Sequence, residues 1–273
     1  MISFGICTID GNEKFTEELI YSIVEQEIPD FEIIIIGGKL IPKFSDSNNI
    51  NFVNFDESVR PGWITKKKNM ITNLSKYETI VFLHDYLKLD KDWYKGFLKY
   101  DQNFNILTNK ILRKNGDRYL DWTLWEVTKT RYDFFTLYKR ECLLPYDVKN
   151  LSKFMYISGA YFIAKRKVML EFPLDESLSW KEGEDVEWSL RVRDKYSFEF
   201  NENATTLLQI VKTNYPYKES SRNLISKLNK IKDQQFYLSF DKFLYKPVYT
   251  NFFKLKNLFL KILKRVNIFL SNI

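Results

Sequence analysis

The chain opens on a run of apolar and β-branched residues, Ile2–Ile9, followed at once by the turn triplet Asp10-Gly11-Asn12. Phe15, Leu19, Ile20, Ile23 and Val24 then recur at helical spacing, which predicts a helix over Glu13–Gln26, stopped by Pro29. Phe31–Ile36 is a continuous apolar run of the kind buried on both faces of a sheet, and Gly37-Gly38 ends it. Asn51–Phe55 reads as a third strand, Thr65–Ser75 as a helix, Thr79–Leu83 as a fourth strand and Asp92–Lys99 as a helix. Strands alternating with helices predict a parallel α/β sheet. Such sheets bind ligands beyond the carboxyl ends of their strands, which singles out Thr8–Asp10, Gly37–Lys39 and His84–Tyr86.

Past Asp101 the pattern weakens. Asp101–Lys153 is rich in aromatics, Tyr119, Trp122 and Trp125 among them, and reads as a mixed region that helps shape a pocket. Phe154–Ala164 predicts a strand with Ser158-Gly159-Ala160 at its centre; a glycine there signals the close approach of a ligand or another backbone, or a bulge. Asp185–Lys195 is expected as a helix, with strands at Phe198–Phe200 and Thr205–Val211.

Composition adds bounds. With 273 residues, 45% of them hydrophobic, the chain can bury a large core. Cys7 and Cys142 make no disulfide framework, and no basic leader precedes the first strand, so a cytoplasmic location is expected. The net charge of +7 becomes informative once located. From Lys242 onward there are six Lys, one Arg and no acidic residue, so the remainder is formally neutral. A neutral body argues against nucleic acid as a partner. The expected division is therefore 1–235 for the α/β domain and 236–273 for a basic tail. Between about Asn251 and Ser271, Leu255 to Leu270 supply an apolar helical face, and Lys254, Lys256, Lys261, Lys264 and Arg265 a basic one. That pattern suits a helix lying on the anionic inner face of the cell membrane; the alternative is a helix packed on the domain.

Two segments carry candidate chemistry. Trp180-Lys-Glu-Gly-Glu-Asp-Val-Glu-Trp188 sets Glu184 and Asp185 side by side at a helix start, where free N–H groups favour a carboxylate. One can be held structurally while the other points into a cleft as a base. The plainer reading is an acidic first turn flanked by packing indoles. The fourth strand ends in His84-Asp85-Tyr86, and a carboxylate there can ligate a divalent ion that neutralises a diphosphate. His84 is the chain's only histidine, so multi-histidine zinc sites are excluded.

Taken together, Ile23–Ile36, His84–Tyr86, Ile157–Ile163 and the Trp180-x-x-Gly183-Glu-Asp185 segment resemble the family 2 glycosyltransferases and relatives with the GT-A fold; the last is also similar to a motif of the β-1,4-galactosyltransferases. The resemblance covers most of residues 1–212. It implies a Rossmann-like, mostly parallel sheet flanked by helices, and an inverting transfer from a nucleotide-sugar, UDP-sugar favoured, to a glycan or lipid-linked acceptor in surface polysaccharide or lipopolysaccharide assembly. By the same resemblance Asp185 is the base and Glu184 its helper. Thr8, Asp10, Lys66, Lys68, Asn69, His84, Asp85 and Gly159 face the donor, and Trp180, Glu182 and Gly183 the acceptor. Asp85 holds Mn2+ or Mg2+. Of the lysine triplet, Lys66 or Lys68 is expected on the cleft side, Lys67 less so. The chain departs from the family pattern in having His84 and Tyr86 in place of further Asp, Gly37-Gly38 where an Asp is usual, and Gln209 where a His often stands. A sugar nucleotidyltransferase and a non-catalytic membrane-bound module are the rival readings; the former usually carries a Gly-rich basic loop after the first strand, and Cys7–Asn12 has no basic residue.

Overall fold

The computed structural model describes residues 1–126, 140–149 and 155–210, together with 222, 225 and 226. The chain divides into a unit of residues 1–225 and a second of 226–273. The basic amphipathic tail lies outside the described residues, as does Val211 at the end of the last expected strand. No helix among the described residues is long and apolar enough to cross a membrane.

The first third follows the hydrophobic pattern closely. β1 (Ile2–Cys7), α1 (Glu13–Val24), β2 (Phe31–Ile36), β3 (Ile50–Val53), α2 (Ile64–Leu74), β4 (Thr79–His84), β5 (Leu87–Leu89) and α3 (Trp93–Leu98) come in that order. They are followed by β6 (Ile106–Leu112), β7 (Thr123–Glu126), β8 (Arg140–Leu143), β9 (Met155–Tyr156), β10 (Tyr161–Lys165), α4 (Arg166–Glu171), α5 (Glu184–Val192) and β11 (Phe198–Leu208). The main sheet runs β3-β2-β1-β4-β10-β6-β11-β5. β1 pairs in parallel with both β2 and β4, whereas β10 and β5 run against their neighbours. A smaller sheet, β8-β7-β9, is antiparallel.

Strand alternation separates the two faces of the main sheet. Phe4, Ile6, Ile33, Ile35, Val81 and Leu83 pack with Leu19, Ile20 and Ile23 of α1 and with Trp93 and Phe97 of α3 in one buried core. Fully burying an aliphatic or aromatic side chain of this kind contributes about 1.5–3 kcal/mol. On the other face Gly5 meets α2: a Cβ there would lie 2.3 Å from Ile71 Cγ2. Trp188 of α5 packs on Phe162 of β10 on this side, ring centroids 5.2 Å apart, and its indole N–H donates to Phe172 O.

Three expectations need correcting. Phe154–Ala164 is not one strand. It breaks at Ile157–Ala160, β9 joining the small sheet and β10 the large one, because the Ile157 N–H is taken by the Ser189 hydroxyl of α5 instead of a ladder partner. Phe198–Leu208 is one strand with a register shift between Asn201 and Thr205, not two. β6, inside the main sheet, lies in the region that showed no clear period. Its buried Asn109 interrupts the apolar run, and donates to the Thr206 hydroxyl and to Lys110 O.

Candidate functional site

The carboxyl ends of β1, β2 and β4, the turn before β10 and the first turn of α5 converge. Gly183 supplies the bend into α5 with φ 76°, a backbone conformation natural to glycine. Glu184 and Asp185 then form the first turn of the helix.

Gly159 is the centre of this arrangement. Its N–H donates to Asp185 Oδ2 at 2.9 Å, and its carbonyl accepts from Lys68 Nζ at 2.7 Å. A Cβ on Gly159 would sit 3.0 Å from Lys68 Nζ, 3.2 Å from Asp185 Cβ and 3.3 Å from Glu184 Oε1. A side chain at this position would crowd all three groups over the one Cα. Asp185 Oδ1 accepts the Val186 N–H at 2.8 Å.

Burial raises both carboxyls above their ordinary range, and each also feels the Lys68 ammonium, which pulls them down. Glu184, 5% exposed, is pushed up to about 8, by burial first and the Asp185 charge second. Asp185 accepts N–H groups from Gly159 and Val186, bonds that favour a charged carboxylate. Glu184 is therefore the member of the pair held protonated at neutral pH, while the Gly159 and Val186 N–H groups favour the charged form of Asp185 against the rise that burial imposes.

At the end of β4, Asp85 is buried and its Oδ2 accepts from Asn12 Nδ2 at 2.8 Å. Burial raises its titration, while hydrogen bonds from Asn12, Thr8 and the Ile9 and Tyr86 backbone oppose the rise. His84 Nδ1 lies 3.1 Å from the Tyr86 hydroxyl. The Tyr86 phenol is held well above its ordinary range, by burial first and then by Tyr119, Asp85, Asp185 and Glu184. Tyr86 therefore stands in the fields of both the strand-end carboxylate and the helix-start pair.

Among the described residues, no group of three His, Cys, Asp or Glu side chains could enclose a metal ion. Magnesium-type sites, however, use one or two carboxylates together with substrate phosphates. Asp85 meets that minimum. Beside it, Gln209 donates its amide N–H groups among the carbonyls of Phe15, Leu87 and Asp85, which fixes the amide's orientation. Its buried Oε1 has no donor among the described residues. Asp85 therefore fits an ion whose other ligands come from a bound diphosphate and water, and not one held by protein alone.

Of the expected donor-side residues, Thr8, His84, Asp85, Lys68 and Gly159 come together here. Asp10 is exposed on the β1–α1 turn. The lysine triplet needs correction. Lys66 lies against the Trp63 ring, 4.3 Å from its centroid, whereas Lys67 is 1% exposed and donates to Thr8 O at 2.6 Å and to Glu57. The reason is helical phase: α2 lies flat on the sheet, so the consecutive residues 67 and 68 both point to its strand ends. Asn69 is turned to another task, clamping the segment before α5 through Leu174 N–H, Leu174 O and Glu176. On the acceptor side Trp180 is 52% exposed, under the Lys181 ammonium. Glu182 accepts the Ser179 N–H at 2.7 Å and Arg60 at 3.4 Å, so its role there is to shape the loop. Sequence reading gave no role to Asn12 or Glu57 and ranked Lys67 below its two neighbours. Asn12 stood in the turn triplet after β1, the one signal that could have drawn attention to it.

No family model matches the chain, and no curated protein matches it in sequence. Solved structures match it in fold. S. aureus TarS aligns at 16% identity with a TM-score of 0.50, over 84% of this chain and 38% of that one. GalNAc-T7, crystallised with UDP, GalNAc and Mn2+, aligns at 10% identity with a TM-score of 0.56, over 86% and 49%. The chain has the GT-A fold. It spans less than two thirds of the length of either protein, and 63% of the 1–349 piece of TarS, which aligns over 84% of this chain at 17% identity with a TM-score of 0.49.

Proposed function

We propose that this chain is an inverting glycosyltransferase that moves a hexosyl or N-acetylhexosaminyl unit from a UDP-sugar to a hydroxyl of a glycan or lipid-linked acceptor. The observation that carries the reading is the Glu184–Asp185 pair, set over Gly159 within the field of the strand-end residues Asp85 and Tyr86. UDP, GalNAc and Mn2+ in the GalNAc-T7 crystal structure support a UDP-sugar as the donor class. The basic tail supports a peripheral site of action on the inner membrane face, in surface polysaccharide or lipopolysaccharide assembly.

In this reading Asp185 takes the proton of the acceptor hydroxyl while that oxygen attacks the anomeric carbon and the C–O bond to UDP breaks. With Glu184 protonated, Asp185 is the ionised carboxylate that a single displacement needs. Glu184, protonated, donates a hydrogen bond to a sugar or acceptor hydroxyl. A positioned base contributes roughly 10²–10⁴ in rate. Trp180 offers an exposed indole face to an acceptor ring. Asp85 would hold the divalent ion, which when bound offsets the charge on the leaving diphosphate.

Incubation with a panel of UDP-sugars tests the proposal. Slow donor hydrolysis, lost in Asp185→Asn, is the expected result. Pyrophosphate-dependent exchange would favour a nucleotidyltransferase, and no turnover of any nucleotide-sugar would overturn the reading.

A further inference from the structure

Lys68 is a buried cation with one hydrogen bond among the described residues, to a backbone carbonyl, and no carboxylate within ion-pair distance. An ammonium can donate three hydrogen bonds, and burying one without a direct counter-ion is costly. Its surroundings indicate what keeps it there. The Gly159 carbonyl it grips belongs to the residue whose N–H holds Asp185 Oδ2. The close approach of Lys68 Nζ, Asp185 Cβ and Glu184 Oε1 to one point above Gly159 places them in the range, about 4–6 Å, over which an opposite charge shifts a carboxyl's titration.

We propose that Lys68 is a positioning residue that orients Asp185 through Gly159 and keeps the Glu184–Asp185 pair from taking up a second proton. The inference rests on the glycosyltransferase reading and adds to it the device that keeps the base ionised. Burial alone would drive both carboxyls neutral, and a doubly protonated pair has no base. The ammonium is a positive charge on the same side of Gly159 as the pair, carried by α2 and not by α5 itself. Two other ionisable groups near the pair give it no positive charge. The Glu182 carboxylate, ahead of α5, raises Glu184, and the Tyr86 phenol after β4 is itself held protonated. Lys68 is the cation that lowers both members of the pair. Gly159 passes on the geometry as well as the charge: if Lys68 lets go of its carbonyl, the turn that presents its N–H to Asp185 loses an anchor at Gly159 itself.

The test compares wild type with Lys68→Met, which keeps length and loses charge, and Lys68→Arg, which keeps charge. Carboxyl 13C shifts of labelled Glu and Asp, assigned through Glu184→Gln and Asp185→Asn, report the titration of the pair without any need for turnover. The expected result is that both apparent values rise in Lys68→Met, by about one pH unit or more, and stay near wild type in Lys68→Arg. The acidic limb of the donor-turnover profile should move up by the same amount in Lys68→Met. Carboxyl titrations that do not move overturn the proposal, as does a loss of rate equal at every pH with the titrations unchanged. If the titrations move as expected while the wild type turns over no nucleotide-sugar, the electrostatic link stands and the glycosyltransferase reading falls. Should Lys68→Met fail to fold by circular dichroism, Lys68→Gln supplies the neutral variant.

Discussion

Lys67 and Lys68 are adjacent on α2 and both are 1% exposed, yet their ammonium groups reach different strands: Lys67 Nζ is 2.6 Å from Thr8 O beyond β1, and Lys68 Nζ is 2.7 Å from Gly159 O before β10. Two cations therefore flank the carboxyl ends of the central strands from one helix. Lys67 is balanced by Glu57, whereas Lys68 faces the Glu184–Asp185 pair. The helix thus sets two ammonium groups side by side at the strand ends of the candidate site.

Asp185→Asn should fold and bind UDP, the amide oxygen keeping the Gly159 N–H while the Val186 N–H loses its side-chain acceptor, and transfer should fall about 10²–10⁴-fold. Calorimetric UDP binding alongside steady-state rates checks both halves. A variant that keeps its turnover would remove Asp185 as the base.

Glu184 makes stability depend on pH. Its folded value, about 8, lies above the ordinary value of 4.5, so the folded state holds the proton more tightly than the unfolded chain. The contribution is fully present below 4.5 and is lost as pH rises through 8. Glu184→Gln has no proton to lose. Its melting temperature relative to wild type should rise between mildly acidic and alkaline buffer, and a constant difference in thermal melts would contradict the assignment.

The Asp85 site predicts a cation effect on UDP affinity. Wild type should bind UDP more tightly with Mn2+ than in chelator, and the difference should vanish in Asp85→Ala. Titrations with equal affinities in both buffers would discard the metal assignment and leave Lys67 and Lys68 as the cations at the strand ends.

Gly96 of α3 is pressed against the bulge of β11: a Cβ would lie 2.0 Å from Asn203 O, a backbone atom. Gly96→Ala should destabilise the domain by roughly 1–3 kcal/mol, the usual cost of overpacking. Urea unfolding measures it, and a neutral result would mean that the bulge yields.

Truncation before about Asn251 should abolish co-sedimentation with anionic liposomes and leave donor turnover intact. Each basic residue near such a surface contributes about 1 kcal/mol. If the truncated protein instead melts lower and full-length protein ignores liposomes, the tail packs on the domain.

The apolar runs at Ile2–Cys7, Phe31–Ile36 and Thr79–His84 determined their strands by themselves, because strands buried on both faces need no polar alternation and glycine or a turn closes each one. The acidic start of α5 and the strand-end position of Asp85 were legible for a similar reason: local turn chemistry and the topology of parallel sheets fix where such residues emerge. β6 was not legible, since Asn109 is a buried polar residue whose partner, Thr206, is far along the chain. Nor was the choice among Lys66, Lys67 and Lys68. Three like residues in a row carry no periodic signal, and only the way α2 packs against the sheet turns two of them inward. The same holds for Gly159, where sequence offered a bulge or a close approach; the meeting of Lys68, Glu184 and Asp185 over its Cα exists only once α2, β10 and α5 are assembled. Local pattern sets which elements form, while the identity of the groups that face one another depends on contacts between residues distant in sequence.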